Sequence, residues 1–216
     1  DPARPLYTAA DAQAALELLR PVPFGEAVPV LPGLDITWHR AGHILGAAFL
    51  SVELHDSGTT VVFSGDLGRP THPLLLPPDP IGHAEVVVIE STYGDTEHLL
   101  VDPAEVIADV VNDAAGCGGV VVIPAFAVDR TEVVLWHLDR LVAAGRVPSI
   151  PVIVDSPMAC RALDFYRDEA RHGSPEIRPE LHGRELFTAL DLVQTTSADD
   201  SKALNDRRGP MVIVSA

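Results

Sequence analysis

Hydrophobic and polar positions divide this chain into two stretches with different rhythms. From Leu34 to Trp38 they alternate, Leu-Asp-Ile-Thr-Trp, as on a half-buried strand after the Pro32-Gly33 turn. Ala47 to His55 reads as a second strand, and Asp56-Ser57-Gly58 turns it into a hairpin with Thr59–Phe63. Val86–Ile89 is short and wholly apolar, as a buried strand is. Before these strands, residues 1–30 hold one helical pattern. Thr8 caps it with Asp11 as a weak capping-box partner, Ala14, Ala15, Leu18 and Leu19 recur at helical spacing, and Pro21 and Pro23 end it. Five prolines between Pro70 and Pro80 predict an irregular loop.

After Gly94 the rhythm changes. Asp102 and Pro103 open a helix that runs to about Ala115, and Gly116–Gly119 turns the chain into a buried strand, Val120–Ala125. Arg130–Ala144 is a helix closed by Gly145, Ile150–Val154 a strand and Met158–Glu169 a helix. Arg171–Arg184 is polar and broken by proline. Leu190–Thr195, Ala198–Asn205 and Met211–Ser215 then read as strand, short helix and strand. Strands alternating with helices predict an α/β fold with a mostly parallel sheet covered on both faces.

Composition narrows the class. A chain of 216 residues with 47% apolar residues buries a real core and is not disordered. No apolar run approaches the length of a membrane span, and Asp1-Pro2-Ala3-Arg4 is not followed by the apolar stretch of a signal peptide. The chain does not begin with Met, and we expect it to start inside a longer one. Cys117 and Cys160 lack metal-ligand spacing and are expected to be buried free thiols, which fits a reducing, cytoplasmic setting. The net charge is −16, with Lys202 the only lysine. That balance argues against broad, sequence-independent binding to nucleic acid, which depends on neutralising phosphates, but leaves room for a local basic or metal-lined groove.

Three strand ends carry the chemistry. His43 follows the Leu34–Trp38 strand, Asp66 follows Val61-Val62-Phe63 between Gly65 and Gly68, and Glu90 follows Val86–Ile89. They lie about two dozen positions apart, which predicts a polar site on one sheet edge. Each has a plainer reading. A lone histidine in a glycine-flanked turn is more often structural than a ligand, and Asp66 in Ser-Gly-Asp-Leu-Gly is suited to bond its own turn. Glu90 is harder to set aside, because an acid ending a buried strand is costly unless paired or metal-bound.

Five segments in order, Ala41-Gly42-His43-Ile44-Leu45-Gly46-Ala47-Ala48, Ser64-Gly65-Asp66-Leu67-Gly68-Arg69, Glu90-Ser91-Thr92-Tyr93-Gly94-Asp95, Pro124-Ala125-Phe126-Ala127-Val128-Asp129-Arg130-Thr131 and Val154-Asp155-Ser156-Pro157-Met158-Ala159, resemble the β-CASP branch of the metallo-β-lactamase fold. That branch holds RNA-processing nucleases, among them the polyadenylation-site endonuclease and its prokaryotic relatives. The resemblance implies an internal fragment. Residues 1–93 would be the later part of a metallo-β-lactamase αββα sandwich, and residues 94–216 most of a β-CASP domain. It implies a zinc-dependent hydrolase that cleaves RNA phosphodiester bonds in the full-length protein, with two Zn²⁺ ions that the fragment alone would not both hold. Its partner would be single-stranded RNA, without a membrane, and a homodimer stays open.

By the same resemblance, His43 would ligate one zinc, Asp66 would bridge two, and Glu90 would orient a histidine that protonates the leaving group. Arg130 would hold a phosphate, although a solvated or salt-bridged arginine fits equally well. Tyr93 and His98 would be packing or hydrogen-bonding residues. The sequence departs from the family in lacking the His-x-His-x-Asp-His cluster and the two later histidines. His39, His55 and His72 are not spaced to replace them, and Asp129 stands where the resemblance leads one to expect glycine. Two other readings remain: a catalytically dead scaffold that keeps the fold for protein contacts, and an unrelated α/β binding domain. No Gly-x-Gly-x-x-Gly or Walker-type loop supports a nucleotide-binding version of the latter.

Overall fold

The computed structural model describes residues 5–97 and 101–216. Helix α1, Ala9–Leu16, begins at Thr8, whose hydroxyl accepts from Asp11 N–H while the Asp11 carboxylate accepts from Thr8 N–H. Both halves of the capping box are therefore made with aspartate in place of the longer Glu or Gln. The helix buries none of its residues.

A five-stranded sheet follows, built from β1 (Ala27–Leu31), β2 (Leu34–Arg40), β3 (Ala48–Leu54), β4 (Thr59–Phe63) and β5 (Val86–Val88) in that spatial order. The first four strands pair antiparallel with their neighbours, and β5 lies parallel to β4. Strand β1 lies beyond Pro21 and Pro23, where the sequence pattern predicted no strand. It contains Pro29, and its register slips between Pro29 and Leu31. Proline cannot donate to a ladder, so this strand is confined to the sheet edge, where a bulge is tolerated.

The second half carries α2 (Pro103–Cys117), β6 (Val120–Pro124), α3 (Arg130–Ala143), β7 (Pro151–Asp155), α4 (Pro157–His172), β8 (Asp191–Thr195), α5 (Ala198–Ala203) and β9 (Met211–Ser215). The four strands form an all-parallel sheet in the order β6-β9-β7-β8. The helix ends follow from local chemistry. Asp102 and Ser156 cap α2 and α4 ahead of a first-turn proline, and Gly118 and Gly173 close them in the left-handed conformation. The last strand to form in sequence, β9, occupies an interior position, which suits its run Met-Val-Ile-Val. Cover on both faces fails at β6, where Val120 and Val122 are exposed; α2 packs against this strand from one side. Cys160 is buried as expected, but Cys117, at the last turn of α2, is exposed.

The proline-rich loop joins the two sheets. Leu74 and Leu75 are fully buried in the core of the parallel half, against Leu163, Tyr166 and Ile177. Leu75 makes an isolated antiparallel bridge to Ile177; Leu76 N–H donates to the Glu176 carbonyl and Arg178 N–H to that of Leu74. From the other side, Arg40 at the end of β2 bonds the Pro77 and Pro175 carbonyls and pairs with Asp79. A segment without regular structure thus works as the seam between halves.

Candidate active site at the sheet edge

Strands β2, β4 and β5 run in the same direction, because β3 is antiparallel to both β2 and β4, and β5 is parallel to β4. Their C-terminal ends share one edge, and His43, Asp66 and Glu90 follow those ends. The loops are drawn together by backbone rather than by side chains. Gly68 N–H donates to the Ala41 carbonyl at 2.9 Å. A Cβ on Gly68 would lie 1.7 Å from the Gly42 oxygen and 2.7 Å from His43 N, so only glycine fits. Gly42, with φ +63°, is itself pressed against the Leu76 carbonyl at 2.6 Å from an ideal Cβ. The His43 turn is thereby clamped between the Asp66 loop and the proline-rich seam.

Glu90 holds the other side. Its Oε1 accepts from Leu67 N–H at 2.9 Å, one residue beyond Asp66, and its own N–H donates to Ser64 Oγ at 2.9 Å. The Leu67 N–H, then Thr92, then the nearby His43 ring hold its carboxyl below the ordinary glutamate range, so Glu90 is an anion at neutral pH. The Asp66 carboxylate is exposed at the tip of this loop. His43 is half-buried in the turn that Gly68 abuts. The three residues predicted to meet are thus brought to one edge.

Arg130 starts α3 and is exposed; its N–H donates to the Val128 carbonyl at 2.9 Å, and its side chain makes no hydrogen bond or ion pair among the described residues. The other histidines named above have partners of their own. His39 meets Ser51 Oγ at 3.0 Å and stacks on Phe49, and His55 lies 3.3 Å from Asp35. Tyr93 is exposed, and His98 lies outside the described residues. Asp155 ties β7 to its neighbours, accepting from Thr195 Oγ1 at 2.6 Å and Ser201 Oγ at 3.0 Å. Among the described residues no group of three His, Cys, Asp or Glu is gathered closely enough to hold a metal.

A second polar cluster escaped the sequence reading. Asp129 is buried at φ +72° and ψ −55°, a positive-φ conformation that glycine adopts more easily. Its carboxylate accepts from Tyr166 Oη at 2.7 Å and meets His72 Nε2 at 2.9 Å. His72 Nδ1 accepts the N–H groups of Leu74 and Leu75, so the ring hydrogen sits on Nε2 and points at Asp129. Burial first, then the Asp129 charge, push the Tyr166 phenol far up, so it stays a donor. One turn on, Glu132 is fully buried with no hydrogen bond of normal geometry to either carboxylate oxygen, and burial, partly offset by its own and the Asp129 backbone N–H groups, raises it to about 7. These partners are 57 and 37 positions from Asp129, beyond any local pattern.

Residues 131–216 match the Beta-Casp domain. Ribonuclease TTHA0252 of Thermus thermophilus is 36% identical over 214 residues, covering 97% of this chain and 48% of the relative. The RNase J-like protein of Methanocaldococcus jannaschii is 27% identical over 215 residues, again 97% of this chain and 48% of the relative. Transcription termination factor FttA of Methanosarcina mazei is 34% identical over 139 residues, 62% of this chain and 22% of the relative. The chain therefore spans about half the length of the relatives that match it throughout.

Proposed function

We propose, from a chain that belongs to the β-CASP family, that it forms part of a metal-dependent hydrolase cleaving single-stranded RNA at phosphodiester bonds. The observation that carries this reading is the convergence of His43, Asp66 and Glu90 on one sheet edge, enforced by the Gly68–Gly42 backbone contact and the Glu90–Leu67 hydrogen bond. Residues 1–93 would then be the later part of a metallo-β-lactamase domain and residues 94–216 most of the β-CASP domain. The division is supported by two separate sheets and by the Beta-Casp match at 131–216. The free thiols Cys117 and Cys160 are compatible with a cytoplasmic setting. Among the described residues no helix is long and apolar enough to cross a membrane.

Two zinc ions are the cofactor this reading implies. A zinc site takes three or four protein donors, and His43 and Asp66 are the two this edge offers, so the described residues do not by themselves make up the centre. What they do supply is placement. Glu90 keeps a negative charge against the Asp66 loop, where its carboxylate accepts from Leu67 N–H. Arg130 is available to a substrate phosphate at the start of α3, on the parallel half.

The test is substitution in the longer protein that the relatives imply. Asp66→Ala should abolish cleavage of a single-stranded RNA and lower metal content by elemental analysis. Normal turnover by that variant would remove Asp66 from the site and the hydrolase reading with it.

A further inference from the structure

A cavity of about 450 Å³ opens between the His43 loop and α4. One wall is a single face of α4, where Met158, Arg161, Phe165 and Glu169 recur at helical spacing. Ala162 and Tyr166 of the same helix also line it, while Leu163 is spent on the core. Leu45 and Gly46 form the facing wall, and Val128 closes one end. Met158 is 64% exposed and Phe165 68%, far more than large apolar side chains of the core. Gly46 N–H donates to Glu176 Oε2 at 2.9 Å, which ties the facing wall to the seam.

We propose that this cavity is a nucleobase subsite for an RNA nucleotide next to the cleaved bond, selective for bases that carry an exocyclic amino group. The proposal rests on the ribonuclease reading above. Three observations lead to it. First, the wall residue Leu45 is two positions from His43, a reach of at most roughly 7 Å along the chain, so an occupant belongs to a nucleotide beside the reacting one. Second, the surface is an aromatic ring and a thioether with free faces, the kind of platform on which unstacked RNA bases lie. Third, its charges are divided. Arg161 is exposed, Glu169 is half-buried, and neither side chain bonds to anything among the described residues. Arg161 offers a cation to the connecting phosphodiester. Two carboxylates, Glu169 and Glu176, repel a phosphate from the interior but accept from an amino group such as cytosine N4 or adenine N6. Uracil has no such donor.

The experiment measures binding of fluorescent oligo(C), oligo(A) and oligo(U) to the longer protein, with cleavage assayed in parallel. The parent protein should bind oligo(C) and oligo(A) more tightly than oligo(U). Phe165→Ala, at an exposed position, should weaken oligo(C) and oligo(A) by about tenfold, the scale of one lost base stack. Glu169→Gln should bring oligo(C) towards oligo(U) without weakening the latter. If the parent binds and cleaves RNA but Phe165→Ala and Glu169→Gln behave like it, the subsite is refuted while the ribonuclease reading stands. If the parent neither binds nor cleaves any of the three, that reading fails first. Hydroxyl-radical footprinting supplies an independent check: protection of Met158 and Phe165 without RNA would mean that a protein segment fills the cavity, and would overturn the proposal.

Discussion

Gly68 lies on Gly42 with no room between them: a Cβ on Gly68 would stand 1.7 Å from the Gly42 carbonyl oxygen. That contact sets how closely the Asp66 loop approaches the His43 turn. Its obstacle is backbone, which cannot rotate away as a side-chain tip would.

Gly68→Ala should therefore force the two loops apart. We expect a stability loss of about 2–4 kcal/mol by urea unfolding, with cleavage by the longer protein falling more than stability alone explains. Gly82→Ala is the matched control, since nothing lies within 4 Å of a Cβ there. A Gly68→Ala protein as stable as the control would refute the clamp.

Glu90→Gln keeps the shape and an oxygen for Leu67 N–H but removes the charge beside His43. The expected outcome is slower RNA cleavage with metal content nearly intact. Loss of metal instead would make Glu90 a ligand. Because the folded carboxyl is held below its ordinary value, this anchor is at full strength at neutral pH. It weakens only as pH falls through that lowered range.

Glu132 should make stability depend on pH in the opposite sense. Its carboxyl rises from 4.5 to about 7 on folding, chiefly through burial, with Asp129 adding repulsion. Below 4.5 both folded and unfolded states are protonated and there is no cost. Between 4.5 and about 7 the folded state holds the extra proton, so stability falls as pH rises. The full penalty, about 3 kcal/mol, is in force above that window. Glu132→Gln should flatten the slope and raise the melting temperature at pH 8. An unchanged pH profile would show that the carboxylate is satisfied after all.

Tyr166→Phe removes the hydroxyl that donates to Asp129 at 2.7 Å and leaves a buried carboxylate with one fewer partner. We expect a loss of about 1.5–3 kcal/mol, as for hydrogen bonds to charged groups. His72 shares the same carboxylate, so Tyr166→Phe and His72→Gln should combine non-additively in a double-mutant cycle. Simple additivity would mean that the three side chains do not act as one cluster.

What the sequence determined alone is the set of elements and the candidates at their ends. Met211–Ser215 is a strand because four consecutive apolar residues must be buried, and α2 starts at its capped proline. His43, Asp66 and Glu90 stood out as candidates because each follows a strand pattern, alternating before His43 and apolar before Asp66 and Glu90, a strictly local signal. Strand β1 did not stand out, since proline and an exposed edge erase the alternation that marks a strand. Only the tertiary structure decided that β9 enters the interior of its sheet, that Leu74 and Leu75 leave an irregular loop for the distant core, and that Asp129 gathers His72 and Tyr166 while Glu132 is buried one turn away without a normal hydrogen bond to its carboxylate. These relationships join residues tens of positions apart through backbone contact and shared burial. Local periodicity carries no record of them; packing against the rest of the chain does.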